Sequence, residues 1–484
     1  MSDSPDVLSG THPTDEVVDA DLGDARRTER YHSIVEAMTR RPDRSVPETF
    51  EDEAAQEGYY RFIRNPSVDD EALFEPHFEA TAERAECLEH VLCIHDTTEF
   101  AFPVHDDEVR DKLGGPSRGR QGFFWHSSIV TSADGTRAPL GTVAAQPFVH
   151  IDDCPDEETK TWWDERGGTF ENEKWRWFLG GEQAEMRLGE DPEMTHVMDR
   201  EPDDFETLFC LDAEDYNYVI RMRYNRNVCP GDLRSEYEPV KQALAEKPWR
   251  GHRNVELSPR PASATKSSQS HPTRRAREAT LRARAATVEL RRPDNVSAEA
   301  APDRLEINVV QVREVNAPAG EEPVEWILMT SRPIESPAQI WQIVDWYRGR
   351  WITEEFYKAI KTGCSFTDLQ HRSAKTLLCA LSATAIVAHH LLVLRHLGRH
   401  AEDIPAEAVV TDLPLRVLQA TKEKYISDEP TAGEAMEAVA KLGGHISSNG
   451  DPGWQVLGRG WQRLLEYEHA FGLGMEAQAR SDQS

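Results

Sequence analysis

The chain has 484 residues, enough for two or three domains with ample core, and a formal net charge of −31 from 86 acidic and 55 basic residues. It contains no run of eighteen apolar residues and starts with a polar, acidic stretch, so neither a transmembrane helix nor a secretory signal is indicated. The seven cysteines are scattered with no CxxC pair, which argues against a disulfide framework or a thiolate zinc site and makes a reducing cytoplasm the expected setting.

Charge alone speaks against a nucleic-acid partner, because phosphate neutralisation needs a basic surface. A halophilic protein reconciles the two. Excess surface carboxylate keeps it soluble in high salt, and screening then shortens the reach of the net charge to about 3 Å at 1 M. Basic residues need cluster only where a polyanion lies.

Residues 1–20 read as a disordered tail. DARRTERYHSIVEAMTRRP follows as a basic amphipathic helix with Arg26, Arg27 and Arg30 spaced for one face. A second helix, EDEAAQEGYYRFIRNP, carries Arg61 and ends at Pro66. VLCIHDTTEFAF then reads as an apolar strand delivering Asp96 at its end, and MTHVMDREPDDF repeats the pattern with Asp199. YNYVIRMRY is a strand whose alternation puts Arg221 and Arg223 on one face. Between these strands an acidic segment carries Trp162, Trp163, Trp175 and Trp177, expected to pack a small core of its own. Residues 245–300 turn basic, with Ser and Pro punctuation, and ATLRARAATVELRRP shows partial strand alternation. LEINVVQVREV and EWILMTSRP are strands, the second introducing Trp326. Beyond residue 370 the pattern is mainly helical, and KTLLCALSATAIVAHHLLVLRHL is apolar enough to be buried or to sit at an interface.

The most informative segment is WYRGRWITEEFYKAIKTG, which reads as helix. At about 100° per residue, the offsets between Tyr347, Arg350, Glu354 and Lys361 place all four within an arc of roughly 60°. A hydroxyl, a guanidinium, a carboxylate and an ammonium on one stripe suit a polyanion handled beside a metal. The carboxylate can hold the ion, and the others can hold phosphates. A solvated helix face is the blander reading of any one of them. Asp96 and Asp199 ending strands, with Glu354 on a late helix, complete a carboxylate triad for divalent cations, although an aspartate ending a strand is by itself more often a cap. Glu355 points about 100° away from Glu354. His95 faces away from Asp96 by strand alternation, and His389 and His390 read as packing residues.

Six ordered stretches, LGDARRTER, AAQEGYYRFIRNP, IHDTTEF, VMDREPD, EWILMTSRPIESPAQ and YRGRWITEEFYKAIKTG, carry a resemblance that spans about residues 21–470. The last contains a Y-(2)-R-(3)-E-(6)-K signature without a gap. The chain resembles cut-and-paste DDE transposases of the IS-four type. The resemblance implies an α/β fold: a ribonuclease-H-like catalytic core over 76–370 with a β-rich insertion at about 225–325. Helical domains would flank it, at 21–75 for DNA binding and at 371–484 for dimerisation. It implies two Mg²⁺ or Mn²⁺ ions per active site on Asp96, Asp199 and Glu354. Tyr347, Arg350 and Lys361 would grip phosphates, with Arg221 and Arg223 as further phosphate contacts, and Trp326 would receive a base flipped from the transposon end. Extruding a base costs a few kcal/mol, which an aromatic partner offsets in part; a Trp opening an apolar strand is otherwise more often core. Arg26, Arg27, Arg30 and Arg61 would read the end. The implied partners are double-stranded DNA, as terminal inverted repeats and target, and a second copy in a synaptic homodimer, with no membrane and a nucleoid-associated location.

The chain departs from the family in its charge, in the acidic stretch IDDCPDEETKTWWDERGG, and in a C-terminal region that matches only in pattern. Two other readings stand beside it. One is a catalytically silent DNA-binding regulator of transposition. The other is a carbohydrate hydrolase with an Asp/Glu pair, which leaves the Tyr/Arg/Lys stripe without a purpose.

Overall fold

The computed structural model describes residues 7–8, 12–50, 52–103, 110–115, 120–170, 174–230, 237–257, 274–400, 404–410, 412–446 and 452–482. Most of the Ser- and Pro-punctuated part of the basic stretch, 258–273, lies outside them, as do residues 1–6 and 9–11.

The described strands form a 12-stranded mixed sheet. Its first half comprises β1 (His90–Pro103), β2 (Arg120–Ser132), β3 (Pro139–His150), β4 (Thr169–Phe170), β5 (Glu193–Met198) and β6 (Asn217–Arg221). The second half comprises β7 (Asn227–Pro230), β8 (Glu238–Pro239), β9 (His252–Leu257), β10 (Arg277–Arg291), β11 (Arg304–Val315) and β12 (Glu325–Thr330). The order is β4-β3-β2-β1-β5-β6-β12-β11-β10-β7-β8, with β9 on β10. β1 runs antiparallel to β2 and parallel to β5, which is parallel to β6. Partial alternation in ATLRARAATVELRRP becomes a 15-residue strand because both neighbours pair with it, β9 along its first part and β11 along most of its length.

Alternation along β1 sends neighbouring residues to opposite faces. Helix α1 (Lys174–Leu188) covers the face to which His95 points, with Gly180 close against its ring. Helices α2 (Pro337–Gly349) and α3 (Trp351–Lys358) lie on the face to which Asp96 points. The tryptophans between the aspartates do not form a core of their own. Trp163 is buried among Phe123, Phe100 and Phe356 of the main core, and Trp177 packs with Met198 and Phe205.

Ala374–His400 is long and apolar enough to cross a membrane, but its most apolar window is wholly buried inside the protein. It supports the N-terminal helices: Cys379, Ala383 and Ile386 share a cluster with Tyr31, Ile34, Tyr59 and Phe62. Part of the expected disordered tail is ordered. Pro13–Val17 is a short helix with Val17 buried. Its Glu16 accepts hydrogen bonds from Arg84 (2.7 Å) and His77 (2.6 Å), both buried, so the tail is held by charge as well as by packing. The expected boundary at 75 also falls inside a helix, Asp70–Glu86, which runs from the N-terminal region onto the sheet.

Candidate active site at the strand ends

Asp96 is not at the end of its strand. β1 continues seven residues further, to Pro103, because β2 pairs along its whole length. On the other side, pairing with β5 stops at Ile94↔Val197, so Asp96 lies just beyond the parallel ladder. Asp199 follows Met198, the last residue of β5. Both aspartates therefore stand at the carboxyl end of the parallel strands, where a ligand crevice opens in α/β sheets.

The third carboxylate comes from α2 and α3. Ser336 and Gln339 form a capping box and Pro337 occupies the first turn, which starts α2 firmly. The expected single helix breaks at Arg350. Gly349 weakens the helix there, and the bonds Arg350 N–H to Tyr347 O and Thr353 N–H to Arg350 O tighten the chain to three-residue turns. A second irregularity follows, a π-helical turn over Ala359–Gly363 that carries Lys361. The ideal-helix arc thus does not describe the backbone, yet all four side chains still turn toward the aspartates.

Tyr347 donates its hydroxyl hydrogen bond to Asp199 Oδ1 at 2.8 Å and accepts one from Arg221 Nη1 at 3.3 Å. Arg350 bridges two carboxylates, donating from Nη1 to Asp96 Oδ2 at 3.0 Å and from Nη2 to Glu354 Oε1 at 3.2 Å. Lys361 donates to Thr98 Oγ1 at 2.6 Å and lies over the Phe100 ring. Trp326 sits half-buried, packed against the apolar cluster that includes Val312 and Leu328, with its ring 5.4 Å from that of Tyr347 at the edge of the site.

Electrostatics follow from this burial. Loss of hydration raises the Asp96 carboxyl, although Arg350 and hydrogen bonds from Thr353 and Thr97 pull the other way. Burial likewise raises Glu354 against the opposing charges of Arg350 and Lys358. Burial alone would weaken Arg350 as a cation, but Asp199 and Asp96 together hold it more firmly protonated than usual. Burial lowers Lys361. The donors are all oxygens, clustered where desolvation penalises their charge. That is the donor chemistry of a hard divalent cation, which prefers carboxylate oxygen. Arg350 now neutralises part of this charge, so an ion between Asp96 and Glu354 requires the guanidinium to move.

Three further groups belong to the site. Thr353 Oγ1 donates to Asp96 Oδ2 at 2.9 Å, and Tyr357 donates to the Asp96 carbonyl at 2.7 Å. Their four-residue spacing on one helix face was a usable signal. Arg200, next to Asp199, has its cationic form disfavoured first by burial and then by Arg221.

Not every candidate joins the site. β6 ends at Arg221, so Arg223 is not on its face; the Arg223 side chain is exposed over Tyr224, and its backbone N–H donates to Asp203. Buried Asp203 captures this turn and bends the chain off the strand. In the N-terminal helices, Arg27 donates to the carbonyls of Leu22 (2.7 Å) and Ser67 (3.2 Å), a packing role. Arg30 lies over Gly58, where a Cβ would come within 2.8 Å of its guanidinium. Arg26 and Arg61 are exposed. Glu355 pairs with Arg395 and Lys358, away from the aspartates.

Residues 11–68 match the family model of transposase DNA-binding domains. That segment holds Arg26, Arg27, Arg30 and Arg61. Among solved structures, a cryo-EM structure of a piggyBac transposase synaptic complex with hairpin DNA aligns over 84% of this chain and 77% of that chain, at 9% identity and a TM-score of 0.34.

Proposed function

We propose that the protein is a DDE transposase of the IS-four type, acting on transposon ends. The observation that carries this reading is that Arg350 bridges Asp96 and Glu354 while Tyr347 binds Asp199, three carboxylates from three separate elements, with Lys361 nearby on Thr98. The strand order β3-β2-β1-β5-β6, with β2 antiparallel, supports a ribonuclease-H-like core, and the family match of residues 11–68 supports end binding. In this reading, Asp96, Asp199 and Glu354 hold two Mg²⁺ or Mn²⁺ ions. When bound, these would activate water or a 3′-hydroxyl and stabilise the leaving oxygen.

The chain's own residues supply the rest. Arg350 would exchange its carboxylate partners for a phosphate once those carboxylates hold metal. Arg221 and Lys361 hold neighbouring phosphates, and Tyr347 orients Asp199. Trp326 stacks on a base extruded while the end is bent into a hairpin. Excision then comprises a nick, hairpin formation and hairpin opening, before strand transfer by a dimer on terminal-repeat and target DNA.

The deciding experiment is metal-dependent nicking of terminal-repeat DNA. Glu354→Ala is expected to abolish cleavage while leaving end binding within a few-fold of wild type. Cleavage at the wild-type rate in that variant would sink the assignment, and an inactive wild-type protein that still binds ends would indicate the silent regulator.

A further inference from the structure

A second cluster of metal-ligating groups lies on the other face of β1, behind the candidate active site. Cys93 and His95 are two residues apart and so share that face, and His196 on β5 is the direct cross-strand partner of Cys93. All three are fully buried. Their ligand atoms lie within 4.8 Å of one another. His95 Nε2 and His196 Nδ1 face each other at 2.9 Å.

We infer that Cys93, His95 and His196 form a three-ligand site for a transition-metal dication, Zn²⁺ by ligand type, distinct from the oxygen-donor site at Asp96. One thiolate and two imidazoles are a borderline-soft donor set, which zinc favours and magnesium does not. The surroundings match what such ligands need. The outward nitrogen of each imidazole already has an oxygen partner: His95 Nδ1 lies 2.9 Å from Ser128 Oγ and His196 Nε2 lies 3.0 Å from Glu185 Oε1. Those contacts leave His95 Nε2 and His196 Nδ1 as the inward-facing atoms, as in carboxylate–histidine–zinc arrangements. Charge also balances: a dication, the Cys93 thiolate and the Glu185 carboxylate sum to zero, which a buried site requires. Gly180 gives the His95 ring room, while a Cβ at 181 would make ordinary contact with His196. A Cβ at 180 would lie 3.3 Å from His95 Nδ1, and one at 181 would lie 3.5 Å from His196 Cε1.

The same atoms can also form a metal-free relay from Ser128 through His95 and His196 to Glu185. That relay leaves Cys93 only its place in the apolar core beside Val91 and Ala184. With metal–nitrogen bonds of about 2.0–2.1 Å, two tetrahedral nitrogens sit about 3.3 Å apart. The 2.9 Å imidazole pair therefore has to open by only a few tenths of an ångström.

Metal content of the full-length protein tests this directly. After exhaustive dialysis against a mild chelator, about one zinc per chain is expected by elemental analysis, and it should persist in Glu354→Ala. Cys93→Ala, a small change at a buried site, should lose it. Cobalt-loaded wild-type protein should show a thiolate-to-cobalt charge-transfer band that Cys93→Ala lacks. Should Cys93→Ala fail to fold, zinc retention and the cobalt band in the wild type and in Glu354→Ala still decide the matter. Wild-type protein with no tightly held zinc and no cobalt band overturns the proposal. So does a folded Cys93→Ala that holds as much zinc as the wild type.

Discussion

Arg350 makes one carboxylate–guanidinium–carboxylate bridge, and Tyr347 ties Asp199 to Arg221. These are charge-assisted contacts, and losing one costs about 1.5–3 kcal/mol, which corresponds to roughly a 10- to 150-fold change in rate if the contact survives into the transition state. Tyr347→Phe removes the hydroxyl that orients Asp199 without opening a cavity. We expect single-turnover nicking to slow by about that factor, with end binding unchanged; a wild-type nicking rate would mean that Tyr347 is only packing. In the proposed reaction Trp326 would act at a different step. Trp326→Ala should slow hairpin formation by at least about 10-fold more than it slows the first nick, because only the hairpin requires an extruded base. Equal slowing of both steps, resolved on denaturing gels, would exclude base capture.

At the level of elements, two glycines decide how the C-terminal helices meet. Gly443 ends Ala432–Leu442, and Gly460 lies in Trp454–Asp482. A Cβ on Gly460 would sit 1.9 Å from the Val439 carbonyl oxygen, and one on Gly443 would sit 1.8 Å from that of Val456. Backbone cannot rotate out of the way as a side chain can. Gly460→Ala should therefore force the helices apart and destabilise this region by about 2–3 kcal/mol, read as faster hydrogen exchange over both helices. Unchanged exchange would show that the pair has slack.

The quartet was legible as one group, but not the break at Arg350 and the π-helical turn that replace the single helix expected of it; Asp96 and Asp199 were legible because each follows a run of mostly buried strand residues. The mid-strand position of Asp96 was not legible. It depends on β2 pairing past the point where β5 stops, a long-range fact. Nor was Arg223's exclusion, which turns on Asp203 capturing the backbone after β6. Cys93, His95 and His196 escaped for the same reason. A search for CxxC spacing is blind to a ligand set completed by a neighbouring strand 101 residues away from His95.

Over the whole molecule, the N-terminal helices are locked to the remainder partly through a titratable contact. His371 is buried, its Nε2 lies 2.8 Å from the Tyr59 hydroxyl, and burial, followed by Arg64 and Arg110, lowers its pKa to about 4. A histidine lowered on folding stabilises the native state above its unfolded pKa of about 6.5. That contribution is lost as pH falls through the folded value. For a shift of this size the loss between pH 7 and pH 5 is about 2 kcal/mol. His371→Gln keeps a hydrogen-bonding group but cannot titrate, so it should lose less stability over that interval in denaturant melts. An identical pH slope would show that other groups dominate, such as His126 and His396, each lowered by burial to about 3.

The pairing of β12 with β6 has a mechanical consequence. Leu328 pairs with Arg221, so the strands carrying the basic stretch are not a hinged flap but the outer span of one continuous beam. If the proposed transposase bends its DNA against that span, the load would pass strand by strand into Arg221, and through it to Tyr347 and Asp199. Deforming the DNA and setting the geometry of the carboxylates would then be a single motion.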